Sequence, residues 1–184
     1  MKFPTELYHY SNVHVEKLCK EFDRKYRESP HFDPYHKPCG IWFSVEDYED
    51  DMTWEKWCRG EDFRVDHLNF RHKIVLKSDS NIVFLTNTSE IRRFGYQYSY
   101  NDPFEFGRRS VFGKNNPYIH GIRWDKLEKL YDGIIIAPYN WECRMPSETM
   151  WYYGWDCASG CIWNFDCIES FECINQMAAT NEVG

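Results

Sequence analysis

The chain has 184 residues, 42% of them hydrophobic and 18% aromatic, which suits one domain able to bury a core without disulfide or metal staples. Its formal net charge of −7, from 22 basic and 29 acidic residues, excludes an overall basic nucleic-acid binder and leaves room for a local basic patch only. No run reaches the ~18 apolar residues that a membrane helix needs.

Residues 6–11 (ELYHYS) alternate aromatic and polar groups and predict a first strand. Residues 13–27 predict a helix with Val13, Leu18, Phe22 and Tyr26 near one face, and a Pro-punctuated loop follows to Gly40. Residues 40–45 (GIWFSV) predict a strand, and 51–61 a short helix capped by Asp50 or Asp51, with Trp54 and Trp57 on one face. The clearest strands are 72–77 and 81–87, and the SDS between them reads as the turn of a hairpin or as a bulge.

Thr88 or Ser89 caps a short helix, and 95–118 is a long loop of the kind that often carries function. Residues 122–131 predict a helix ended by Gly133, and 133–139 a buried strand. Residues 145–155 read as loop or short helix, 159–164 as the last strand, and 167–177 as a closing amphipathic helix. Residues 1–178 therefore form one domain, and 179–184 a frayed tail. Short strands and irregularly placed helices point to an α+β fold with a split mixed sheet and flanking helices, not a doubly wound parallel sheet.

The eight cysteines stand at 19, 39, 58, 143, 157, 161, 167 and 173. The opening MKFPTELYHYS lacks an apolar segment and a cleavage site, so a cytoplasmic setting with reduced thiols is expected. No C-x-x-C pair occurs, and the late C-x3-C-x5-C-x5-C run fits zinc spacing poorly, so no metal is expected. Nucleotide-binding glycine loops, H-E-x-x-H and G-x-S-x-G are all missing.

Four short stretches can carry chemistry. In Leu7-Tyr8-His9-Tyr10-Ser11 a strand-end histidine can offer ring nitrogens to a sugar hydroxyl. In Gly40-Ile41-Trp42-Phe43-Ser44 the glycine allows close backbone approach, and the two rings face opposite sides, one inward and one free to stack. Trp54 and Trp57 make either core or a stacking platform, core being the commoner use. Asp156, between Gly154 and Gly160, is a carboxylate in an aromatic setting. Asp132 competes with it, but sits where a helix-ending turn residue is expected.

Taken together these stretches resemble the His-first branch of the ADP-ribosyltransferase superfamily. That branch has a Leu-Tyr-His-x-Ser/Thr strand, here Leu7 to Ser11, and a Gly-Ile/Leu-Tyr-Phe-Ala/Ser strand, here Gly40 to Ser44. The segments Tyr131-Asp132-Gly133-Ile134 and Gly154-Trp155-Asp156-Cys157-Ala158-Ser159 look like those of bacterial and phage proteins of this fold. Trp42 stands where the family has Tyr, Asp156 where it has Glu, and no E-x-E or Q-x-E pair selects an arginine acceptor.

The resemblance implies a split sheet around a cleft for NAD. It gives catalytic roles to His9 and Asp156, and NAD contacts to Tyr10, Ser11, Gly40, Trp42, Phe43, Ser44 and Trp57. It implies transfer of ADP-ribose to a macromolecular acceptor (RNA, DNA or protein) by a toxin, phage-defence or counter-defence effector, with an antitoxin protein as a partner. Arg92, Arg93, Arg108 and Arg109 favour nucleic acid as the acceptor. The alternative is a non-catalytic binding or inhibitory protein that kept the fold and acts through its aromatic face.

Overall fold

The computed structural model describes residues 2–19, 36–100 and 119–176. The fold is α+β. Strands β1 (Leu7–Ser11), β2 (Ile41–Val45), β3 (Phe70–Leu76), β4 (Ile82–Leu85), β5 (Gly133–Ile136), β6 (Ser159–Ile162) and β7 (Ile168–Gln176) form one sheet. Their order is β4-β5-β6-β2-β1-β3-β7, with β4 and β5 parallel and the other neighbours antiparallel. Helices α1 (Trp54–Gly60), α2 (Thr88–Tyr98) and α3 (Trp124–Leu127) accompany it. No helix among the described residues is long and apolar enough to cross a membrane.

The core sits against the centre of the sheet. Ile134, Ile135, Ile136, Cys161 and Ile162 are fully buried in β5 and β6, and Trp124, Trp151, Tyr152 and Trp155 pack with them. Among the described residues, most aromatic side chains lie in or against the core. Gly160 permits this packing: a Cβ there would stand 2.6 Å from Ile134 O and run into the Phe43 ring.

The caps differ from those expected. Thr53 caps α1 by accepting from Lys56 N–H, while Asp51 accepts the Tyr139 N–H across the domain. Asn87 caps α2 through Glu90 N–H, and Glu90 reaches back to Thr86 N–H. Both ends satisfy backbone donors that a helix start leaves open.

Several expectations are corrected. Residues 13–19 are irregular, not helical, because Val15 N–H is taken by His72 of β3; residues 20–27 lie outside the described residues. Residues 72–77 and 81–87 form no hairpin: β3 joins β1 and β7, while the apolar β4 pairs with β5 at the far edge. The helix expected at 122–131 is confined to α3, followed by turns. The strand expected at 159–164, here β6, is not the last, and of the helix expected over 167–177 residues 168–176 form β7 instead. Ile168, Phe171 and Ile174 share a three-residue spacing, but exposure alternates from Phe171 to Ile174 as β7 pairs with β3. Of the long loop expected over 95–118, residues 95–98 continue α2 instead, and 101–118 lie outside the described residues, as does the tail 179–184.

Candidate functional site

The β1–β2 ladder lasts two residue pairs, Leu7 with Val45 and Tyr8 with Ser44. β1 then stays with β3 as far as Ser11, and β2 stays with β6 back to Ile41. Where β1 and β2 cease to pair, His9 Nδ1 lies 2.7 Å from Trp42 O. A carbonyl only accepts, so Nδ1 carries the ring proton and Nε2 keeps its lone pair. Burial lowers the His9 pKa; the Trp42 carbonyl opposes the shift and His72 adds to it. The ring is therefore neutral at pH 7.

Trp42 links His9 to a second cluster. Its half-buried indole packs edge-on against Trp155, with centroids 4.9 Å apart, and Lys37 Nζ stands 5.1 Å over it. Next to Trp155 comes Asp156, 3.4 Å from Arg144 Nη2. Burial raises the Asp156 pKa, Lys37 and Arg144 pull it down, and Glu61 adds to the rise. Burial lowers the Lys37 pKa against the pull of Asp156. A desolvated carboxylate and a desolvated amine thus share one setting beside an indole. The buried Trp155 Nε1 has no acceptor among the described residues.

Arg144 also donates to Tyr139 Oη at 3.1 Å and lies against the rings of Trp141 and Tyr153. It closes a recess of about 290 Å³ lined by Met52, Lys56, Trp57, Gly60, Glu61 and Trp141. The lining thus combines two indoles with two cations and the Glu61 carboxylate, and Lys56 Nζ is held by the Glu49 and Asp51 carbonyls.

The remaining sequence-derived residues are placed as follows. Tyr10 is buried with its hydroxyl on Glu46, and Ser11 Oγ donates to Val13 O. Phe43 fills the core against Gly160, and Ser44 Oγ accepts the Trp54 N–H. Gly40 is needed for close approach to β6, since a Cβ there would meet the Ile162 backbone. Trp57 lines the recess and stacks on Trp54 at 5.2 Å. Asp132 is a turn residue that accepts from Asn81 N–H and Asn164 Nδ2. Trp57 lines the recess, Asp156 reaches it through Arg144, and Trp42 packs on Trp155, the neighbour of Asp156. His9 joins them through the Trp42 carbonyl alone: no hydrogen bond connects His9 with Asp156, and neither shifts the other's pKa.

Lys37 and Arg144 were not legible as partners of Asp156. They come from separate loops, and no spacing ties them to it; the only hint at Lys37 is its place just before the Gly40 strand. Compared with known proteins, the chain matches no family model, no curated protein and no solved structure.

Proposed function

We propose that the protein transfers ADP-ribose from NAD to a macromolecular acceptor, as a toxin, phage-defence or counter-defence effector. The observation that carries this reading is the parting of β1 from β2 at His9 and Trp42. It is the kind of opening that an ADP-ribosyltransferase-like split sheet requires, and it falls between the two motifs that bear the resemblance.

In this reading His9 Nε2 accepts a hydrogen bond from a ribose hydroxyl of NAD, because Nδ1 is committed to Trp42 O. Trp42 and Trp57 offer stacking faces, and Arg144 and Lys56 flank the recess as cations. Nicotinamide leaves with the electron pair of its bond to ribose C1′, and an oxocarbenium-like ribose remains. Asp156 stabilises that cation electrostatically. The acceptor then attacks C1′ and passes its proton to Asp156.

Nucleic acid is favoured over protein as the acceptor. Arg92 and Arg93 are exposed on α2, although Arg92 already pairs with Glu148 at 3.4 Å; Arg108 and Arg109 lie outside the described residues. A phosphate-contacting enzyme loses acceptor affinity steeply as salt rises.

The experiment is incubation with labelled NAD, using wild type, His9→Ala and Asp156→Asn. Release of nicotinamide and label transfer are expected in wild type, with losses of about a hundredfold or more in Asp156→Asn. Full activity in both variants would remove this site assignment. A second reading, a non-catalytic binding protein, is favoured by the Arg144–Asp156 pair, which engages the carboxylate next to Trp155. NAD binding without turnover in wild type would select it.

A further inference from the structure

We propose that His14, His72 and Cys173 form a transition-metal site, which fits Zn2+ best, on the β3–β7 side of the sheet. The site does not rest on the ADP-ribosyl transfer reading. Their ligand atoms all lie within 4.8 Å of one another. His72 and Cys173 are direct cross-strand partners, so both project from one face of the sheet, just past a register shift at Arg71/His72. His14 comes from the irregular segment that lies across this face. Its ring is nearly parallel to that of His72, 16° apart in plane at a centroid distance of 6.0 Å.

The setting of His72 suits a ligand. His72 is fully buried, and Nε2 accepts the Val15 N–H at 3.1 Å, so the neutral ring carries its proton on Nδ1, toward the His9 backbone. A metal-bound imidazole is commonly oriented by a backbone carbonyl on its second nitrogen in this way. The lone pair open to a cation is that of Nε2, which a metal takes in place of the Val15 N–H. Val15, adjacent to His14, shifts as His14 closes.

The donor set narrows the cation. Two imidazoles and one thiolate suit zinc, cobalt or copper, and with no carboxylate in the group it does not suit magnesium or calcium. Around zinc the ligand atoms stand roughly 3.3–3.8 Å apart, from bond lengths of about 2.0–2.3 Å, so the group must contract by about 1 Å. The exposed His14, on its irregular segment, can supply that movement, while His72 and Cys173 are held by the ladder. The Cys173 thiol loses its proton to solvent on binding. Phe171, stacked on His72 at 4.9 Å, walls one side, and water completes a tetrahedral shell. The bound cation would clasp segment 12–19 to β3 and β7, with the His9 ring 6.0 Å from that of His72.

The test is titration of the whole reduced protein with Co2+, followed by displacement with Zn2+. One equivalent should give the visible bands of tetrahedral cobalt and a thiolate-to-cobalt charge-transfer band. Cys173→Ser should abolish the charge-transfer band. His14→Ala, an exposed position that leaves folding intact, should weaken binding about tenfold or more. No charge-transfer band in wild type overturns the proposal. So does a band that is unchanged in both variants, because the metal would then sit on other thiols.

Discussion

The two halves of the sheet are built on different chemistry. In β5 and β6 every residue is buried, and the side chains are isoleucines, a cysteine, a serine and glycines. In β1, β3 and β7 the strands carry His9, Arg71, His72, Lys73 and Glu172, and polar groups are matched in pairs. Arg71 lies 3.6 Å over the Tyr8 ring and 2.6 Å from Glu46; Lys73 meets Glu6, which also accepts from Tyr8 Oη. The first half is held by exclusion of water; in the second, ion pairs and hydrogen bonds add to the burial of Leu7 and Ile74, and Arg71 Nε stays without a hydrogen bond among the described residues. The comparison teaches where chemistry can be hosted. A half that tolerates histidines and ion pairs can offer lone pairs to a ligand, whereas β5 and β6 supply the rigid support beside it.

The largest effect should come from the apolar half. Ile135→Ala in β5 removes a side chain with no exposed surface, and should cost about 2–5 kcal/mol from lost burial and the cavity left behind. Val75→Ala in β3, 36% exposed, should cost no more than about 0.5 kcal/mol. Urea unfolding of the two variants would measure the contrast. Equal losses would mean that the outward face of β3 is packed as deeply as β5, and the contrast between the two halves would be wrong.

A smaller loss is expected in the polar half. Glu46→Ala leaves Arg71 and the Tyr10 hydroxyl without their acceptor. Both members of the Glu46–Arg71 pair are largely buried, with side-chain exposures of 16% and 24%. A loss of about 1–3 kcal/mol is expected, because stranded partners cost more than the net worth of the bond. Glu46→Gln should recover part of it by keeping an acceptor oxygen. A loss within about 0.5 kcal/mol for Glu46→Ala would show a solvated surface pair.

The same contrast explains what the sequence disclosed. Apolar runs such as Gly133–Ile136 and Ile41–Val45 read directly as strands, because burial on both faces leaves one interpretation for a short run. In sequence β7 reads as a helix because Ile168, Phe171 and Ile174 satisfy a helical spacing, while its true pattern depends on a ladder with β3 that crosses most of the chain. The segment after β1 reads as a helix for a related reason: its contact with His72 spans more than fifty residues. His9, Trp42 and Asp156 were legible as chemistry-bearing residues. Lys37 and Arg144, which set the electrostatics of Asp156, were not, because only the folded chain brings their loops together. The His14–His72–Cys173 group was hidden likewise, since thiol spacing alone carries no trace of cross-strand pairing.

The smallest effect, and the most informative about function, lies at the seam between the halves. Burial holds the Asp156 pKa above its ordinary value of 3.8, against the pull of Lys37 and Arg144. A carboxyl whose pKa is raised by folding binds its proton more tightly in the folded chain. Its contribution to stability is fully present below the unfolded pKa, and is lost as pH climbs through the folded one. Ionised Asp156 is therefore a net burden on the fold at pH 7, and Asp156→Asn should unfold at a higher denaturant midpoint there. The gain should vanish near pH 3. Asp51, also raised by burial, contributes in the same direction in both proteins and cancels in the difference. Paired unfolding curves at several pH values would measure this. A variant less stable at pH 7 would mean that Asp156 is a structural counter-charge for Arg144 and Lys37, as in the non-catalytic reading. A variant more stable but without turnover would be the signature of a carboxylate kept at a cost to the fold for the chemistry it performs.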